Sequence, residues 1–182
     1  NLVRVHEELL AGGAELSYPA LTAFCRREGI GHEPVVAAGS YDHLFAPGAE
    51  MQHDTSPHDV LVGGRQYKAQ TASAVLCYSR MLFFQLQPTF QRFDCKVFLT
   101  EALRYLQGSP ERVMIDNTHV VVLRGTGREM IPVPEMEAFA DRFGFRFVAH
   151  ERGDANRSAR VERPFSFIEN NFLAGRAFAT WD

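Results

Sequence analysis

The chain has 182 residues, of which 46% are hydrophobic and 23% are charged. These values are typical of a soluble globular domain, and the length suffices for one domain with a sizeable core and a smaller appendage. No apolar run approaches the roughly 18 residues of a membrane-spanning helix, and the N-terminus, NLVRVHEELL, lacks a signal-peptide profile. We therefore expect a cytoplasmic protein. The formal net charge of -3 argues against a uniformly basic surface.

The three cysteines, Cys25, Cys77 and Cys95, are odd in number, widely spaced and free of a CxxC pair. This pattern predicts neither a disulfide framework nor a thiolate zinc site. We expect buried or half-buried thiols in a reducing compartment.

Residues 1–30 predict two short helices separated by a Gly-Gly break. The first carries an apolar stripe, and Ser17 is placed to cap the second, with Pro19 in its first turn. The stripe of the first helix consists of Leu2, Val5 and Leu9, and in the second helix Leu21 and Phe24 are expected to face inward.

The second helix ends in two basic residues, Arg26 and Arg27. A helical pair with such an ending fits part of a DNA-binding helix-turn-helix, although any small helical hairpin would show the same pattern. Residues 31–48 lack periodicity and contain His, Gly and Pro, which predicts a linker.

Residues 49–178 alternate strand and helix patterns. The runs in chain order are EMQHDTS, RQYKAQTASAVLCYS, MLFFQLQP, FQRFDCKVFLTEALRYLQG, RVMIDN, PEMEAFADRFG, FRFVAH and residues 160–172. The order βββαβαβα predicts an α/β fold, a ribonuclease-H-like mixed five-stranded sheet flanked by helices.

Two aspartates lie in predicted strands of this region. Asp116 follows the apolar residues 113–115, so a buried strand would deliver its carboxylate to the edge of the sheet. A bound cation would compensate such a carboxylate, although the Asp-Asn pair could instead open a turn. Asp54 lies in the first strand, where a lone aspartate also often accepts hydrogen bonds from a neighbouring turn.

A third acid, Glu162, lies two residues before Pro164. Proline is tolerated only in the first turn of a helix, so the final helix should begin within a residue or two of Glu162. Glu169 shares that side but lies about 10 Å further along the axis at 1.5 Å per residue, which makes it the poorer candidate.

Three acids on strand, strand and helix start suit two hard divalent cations, which prefer carboxylate oxygens and catalyse phosphoryl transfer when about 3.5 to 4 Å apart. The residues therefore predict cleavage or joining of nucleic acid strands. A transition-metal site built from His53, His58 and Asp59 is a weaker alternative, because the other acids come with no matching histidine.

The segments MQHDTSP, VMIDN and NRSARVERPFSFIENNF together resemble the integrase-core (DDE) transposases of bacterial insertion sequences. The strings IDNTHVVVLRGTG and ERGDANRSARVERPF are similar to the IstA-type members, and the resemblance covers nearly the whole chain. It implies a catalytic and metal-binding triad of Asp54, Asp116 and Glu162, with two Mg²⁺ or Mn²⁺ ions per active site.

The resemblance also implies the reaction and its partners. Cleavage at transposon ends and strand transfer into target DNA would proceed on double-stranded DNA, in a homo-oligomer that acts with an AAA+ ATPase helper near the bacterial nucleoid. Expected phosphate contacts are Arg26, Arg27, Asn156, Arg157, Arg160 and Arg163. The chain opens inside the helix-turn-helix and stops at Asp182, so we expect it to lack the complete end-recognition and C-terminal DNA-binding parts.

Two other functions fit the same residues. A ribonuclease-H-like nuclease would use these acids without joining strands, and a strand-transfer assay on precut ends would distinguish it. A DNA-binding regulator would use the N-terminal helices without catalysis, and it would show no Mn²⁺ or Mg²⁺ binding that depends on Asp54 and Asp116.

Overall fold

The computed structural model of the chain describes residues 1–31, 45–116, 118–149 and 164–181. Its helices are α1 (Leu2–Ala11), α2 (Tyr18–Arg27), α3 (Arg92–Leu106), α4 (Pro134–Phe143) and α5, which spans residues 164–168 and continues as a π-helical turn at Glu169–Leu173. Its strands are β1 (Glu50–Val62), β2 (Arg65–Leu76), β3 (Leu82–Gln87), β4 (Arg112–Ile115), β5 (Val122–Arg124), β6 (Ile131–Pro132), β7 (Arg146–Ala149) and β8 (Ala177–Phe178).

The main sheet has the strand order β3-β2-β1-β4-β7. The hairpins β1-β2 and β2-β3 are antiparallel, whereas β4 pairs in parallel with both β1 and β7. The short strand β8 pairs with the far end of β1, and β5 and β6 form a separate small hairpin. The predicted mixed five-stranded sheet is therefore confirmed, with β8 as an unpredicted addition to its edge.

Alternate residues of β1 point to opposite faces of the sheet. Met51 belongs to the main core, where it packs with fully buried side chains of α3 and α4 such as Phe98 and Met136. Val60 and Val62 belong to a smaller cluster that includes Leu173 of α5. The sheet thus separates α3 and α4 on one face from α5 on the other, and even-numbered residues of β1 share the α5 face.

β1 is longer than the sequence pattern predicts, because it continues through Pro57 to Val62. β4 ends opposite His53, so beyond that point β1 has no strand on this flank until β8 pairs with its last residues, among the residues described. A residue that lacks an N–H is tolerated at such an edge, which explains why Pro57 does not end the strand.

The two N-terminal helices form as predicted, but one side chain that was predicted to be buried is exposed. Ser17 caps α2 by accepting a hydrogen bond from the amide of Ala20, and Leu21 is buried. Phe24 is 46% exposed, whereas Cys25, four residues after Leu21, takes the inward position. No residue of α1 is buried, so its predicted apolar stripe is not covered within the described part of the chain.

α1 contacts the end of α5 through polar groups. Arg4 reaches the carbonyl oxygens of Ala174 and Gly175 at 3.4 and 3.3 Å, and Asn1 donates a hydrogen bond to Asn171. The N-terminal helix therefore lies against the segment that follows α5.

All three cysteines are buried as reduced thiols, as predicted. Within the described ranges, no helix has both the length and the apolar character needed to cross a membrane.

Candidate functional site

Asp54 lies in the middle of β1, on the face that α5 covers. Its register partner on β2 is Ser73, and its carboxylate accepts a 2.7 Å hydrogen bond from the amide of Thr55. The side chain is half-buried. The Asp54 carboxylate therefore lies on the face of the sheet, and a backbone hydrogen bond fixes one of its oxygens.

Asp116 follows β4 directly, after the buried residues 113–115. His53 and Ile115 are register partners in the parallel pair of β1 and β4, so Asp54 and Asp116 are the next residue on each strand. Asp116 is exposed, and its carbonyl oxygen accepts a 2.6 Å hydrogen bond from Thr118. Parallel pairing thus brings together two acids that are 62 positions apart in the sequence.

The pKa of Asp54 reflects this placement. Burial raises the pKa to about 6, the hydrogen bond from Thr55 opposes the rise, and the nearby Asp116 carboxylate adds to it. Two carboxylates at one sheet edge form a donor set that suits a hard divalent cation. Across the described ranges, no group of three or more His, Cys, Asp or Glu side chains could hold a metal ion. Asp54 and Asp116 are the two predicted ligands that lie within those ranges.

The third predicted ligand, Glu162, lies outside the described residues, as do Asn156, Arg157, Arg160 and Arg163. The helix that follows Glu162 is described from Pro164 onward, and it lies on the face of the sheet that carries Asp54. Glu169 contacts His58, four residues beyond Asp54, or about 13 Å at 3.3 Å per residue of strand.

The alternative transition-metal site is not formed. His53 and His58 occupy odd and even positions of a continuous strand, so their side chains point to opposite faces of the sheet. His53 lies in the main core, where its Nδ1 donates a 2.9 Å hydrogen bond to Ser73 and its ring packs 5.1 Å from that of Phe98. Burial lowers the pKa of His53 to about 4, which keeps the ring neutral.

Sequence reasoning missed a polar cluster around His58, which is 6% exposed. His58 Nδ1 lies 2.7 Å from Thr71 Oγ1, and its Nε2 lies 3.0 Å from Glu169 Oε1. The ring of Phe165 packs 5.9 Å away. The spacing of two residues between His58 and Ser56, and again to Asp54, places all three on one face, but no signal in the sequence pairs His58 with α5.

Arg26 and Arg27 both lie exposed in the last turn of α2. Arg27 pairs with Glu28 at 2.7 Å and lies over the ring of Phe24, 5.3 Å from its centre. Two cations at a helix end are compatible with phosphate contact, which stays a prediction.

No protein-family model matches the sequence. The chain is 27% identical over 127 residues to the transposase for insertion sequence element IS640 of Shigella sonnei, covering 70% of this chain and 40% of that protein. It is 26% identical over 127 residues to the transposase for insertion sequence element IS21 of Pseudomonas aeruginosa, covering 70% of this chain and 33% of that protein. The chain thus spans well under half the length of these curated relatives.

Solved structures show the same fold at low sequence identity. The integrase catalytic core domain of HTLV-2, solved in complex with magnesium, matches with a TM-score of 0.52 and 16% identity over 69% of this chain and 70% of that one. A chain of the simian T-cell lymphotropic virus intasome, solved with a PP2A regulatory subunit, matches with a TM-score of 0.51 and 14% identity over 94% of this chain and 62% of that one.

These structures confirm the predicted ribonuclease-H-like layout. The homologues of this chain are transposases of insertion sequences, and its fold is that of integrase catalytic cores.

Proposed function

We propose that this chain carries the catalytic core of an IstA-type DDE transposase, which cleaves transposon ends and joins them to target DNA. The observation that carries the proposal is the adjacent placement of Asp54 and Asp116 at the end of the parallel pair β1-β4. The insertion-sequence homologues, IS21 among them, support DNA transposition as the process.

Asp54, Asp116 and Glu162 would hold two Mg²⁺ or Mn²⁺ ions. Asp54 and Asp116 fit that task, because the fold brings their carboxylates to one sheet edge despite their repulsion. Bound divalent cations would activate the attacking oxygen of water or of a DNA 3′-hydroxyl and stabilise the departing 3′-oxygen. The protein supplies the fixed carboxylates, and no residue needs to form a covalent bond with DNA.

α5 supports the assignment of the third acid. This helix packs on the face of β1 that carries Asp54, with Ile168 fully buried beneath it. Glu162 precedes its described start by two residues. Glu169 meets His58, which lies about 13 Å along β1 from Asp54 at 3.3 Å per residue of strand. Glu162 is therefore the better candidate for the third acid.

Asn156 and the basic residues Arg157, Arg160 and Arg163, together with Arg26 and Arg27 of α2, would contact DNA phosphates. We assign residues 1–30 to a partial helix-turn-helix, 31–48 to a linker and 49–178 to the catalytic core. By the same resemblance, the working complex would be a DNA-bound homo-oligomer with an AAA+ ATPase helper.

A branched DNA that mimics the product of strand transfer tests the proposed chemistry. The reverse of strand transfer on this substrate needs a single active site and does not require two transposon ends to be held together. In Mg²⁺ or Mn²⁺, the 182-residue chain should resolve this substrate. The variants Asp54→Asn, Asp116→Asn and Glu162→Gln should each lose at least about 100-fold in rate, since each removes a metal ligand worth several kcal/mol.

Asp59→Asn provides the matched control, since Asp59 is an exposed aspartate on the same strand. It should retain the wild-type rate. Near-normal activity in any triad variant would refute that residue's assignment, and cleavage of nucleic acid without resolution of the branched substrate would favour a nuclease.

A further inference from the structure

His58 is a buried polar residue on the face of the sheet that carries Asp54. It contacts two different elements at once, because Nδ1 faces Thr71 of β2 and Nε2 faces Glu169 of α5. The Nε2 contact lies at ion-pair distance but does not have hydrogen-bond geometry. His58 therefore connects the strand of the candidate site to the helix that follows Glu162.

Apolar contacts also hold α5 on the sheet, and Asn171 of α5 accepts a hydrogen bond from Asn1 of α1. Ile168 is fully buried, and Phe172 packs edge-on against Phe84 of β3 at 5.0 Å between ring centres. Leu173 packs in the cluster of Val60 and Val62. Apolar contacts hold the helix on the sheet, but they are non-directional and fix its rotation and register poorly.

The backbone of α5 changes at the residue that meets His58. A π-helical turn begins at Glu169 and is closed by a 2.9 Å hydrogen bond from the amide of Ala174 to the carbonyl of Glu169. Such turns add a residue to the helical repeat, are rare, and often occur at functional sites. The π turn changes the direction in which the side chains after Glu169 point. The contact between Glu169 and His58 therefore lies at the position where the rotation of α5 about its axis changes relative to the sheet.

We propose that His58 is a positioning residue for the candidate metal site, because it fixes α5 relative to the strand that carries Asp54. His58 lies about 13 Å along the strand from Asp54 at 3.3 Å per residue, so it acts at a distance from the reacting atoms. Metal ligands must be held within about 0.5 Å of their working geometry, which makes the registration of α5 consequential. The inference rests on the proposed function, because it assumes that Glu162 is a ligand.

Mn²⁺ binding to the 182-residue chain, measured by calorimetry, tests the inference without an activity assay. His58→Leu should raise the Mn²⁺ dissociation constant about tenfold, because loss of an orienting contact weakens metal binding by such a factor. His58→Gln retains an amide that can reach both partners and should recover most of the affinity. Glu169→Leu, at a half-exposed side chain, should reproduce the loss if His58→Leu fails to fold.

Phe172→Leu is the matched control, because it weakens a contact of the same helix without touching His58. It should lower the melting temperature while leaving Mn²⁺ affinity unchanged. Wild-type affinity in both His58→Leu and Glu169→Leu, or an equal loss in Phe172→Leu, would overturn the positioning role. If wild-type protein shows no Mn²⁺ binding that Asp54→Asn removes, the proposed function fails first and the inference falls with it.

Discussion

Nε of Arg112 donates a 2.9 Å hydrogen bond to Oε2 of Glu50, whose side chain is completely buried. These residues are the first register partners of β1 and β4, and the thiol of Cys77 lies 3.5 Å from the other carboxylate oxygen. The ion pair therefore fixes, at its base, the parallel strand pair that carries Asp54 and Asp116 at its other end.

Removal of one partner of the ion pair between Arg112 and Glu50 should lower the stability of the fold. Arg112→Leu leaves the Glu50 carboxylate buried without its cation, and we expect the free energy of unfolding to fall by about 3 to 5 kcal/mol. Urea denaturation would measure the change. The double variant Glu50→Gln with Arg112→Leu should recover part of the loss, because it removes the uncompensated charge; if it recovers nothing, the buried charge is not the cause.

Asp54→Asn should stabilise the metal-free protein at pH 7. The folded-state pKa of Asp54 is raised to about 6, so the folded chain binds the proton more tightly than the unfolded chain and loses stability as pH rises from about 4 to 6. Asparagine removes that cost, which we expect to be about 1 to 2 kcal/mol after allowance for partial exposure.

Urea denaturation of wild-type and variant protein between pH 4 and pH 7, with a chelator present, measures this effect. The stability difference should vanish near the lower limit, where the wild-type carboxyl is protonated. A destabilised Asp54→Asn variant at neutral pH would contradict the account.

Gly175→Ala should disturb the contact between α1 and the segment after α5. Gly175 has φ of +68°, and a Cβ there would meet Oε1 of Glu8. We expect the free energy of unfolding to fall by about 1 kcal/mol from the backbone conformation alone. In the Glu8→Ala background the steric part should disappear and only the backbone part should remain, which thermal denaturation of the four proteins would show.

The order of elements and the place of the two aspartates could be predicted from local patterns. A short apolar strand that ends on Asp116, and alternation around Asp54, are properties of neighbouring residues. The facing of Phe24 was mispredicted because two apolar residues in adjacent positions compete for one inward site, and only packing decides between Phe24 and Cys25.

Other features depend on pairs of residues that are distant in the chain. The continuation of β1 through Pro57 follows from the point at which β4 stops, and the π turn at Glu169 accompanies a contact with His58. Neither the pairing of β4 with the first residues of β1 nor the partner of His58 is encoded in a local pattern. Sequence reasoning could therefore predict which strands carry Asp54 and Asp116 but not the contact between His58 and the helix on the same face of the sheet.

The brevity of β4 has a consequence for how the proposed chemistry could arise or be lost. β4 pairs with Glu50–His53 only, and β1 runs on to Val62. Were β4 two residues longer, Asp116 would become an interior rung of the ladder, its backbone committed to neighbours and its side chain flanked by strands on both sides. Insertions before Asp116 should therefore be selected against more strongly than insertions in the β2-β3 turn. The reason is that β4 ends beside His53, and this end leaves the space in which Asp54 and Asp116 lie next to each other.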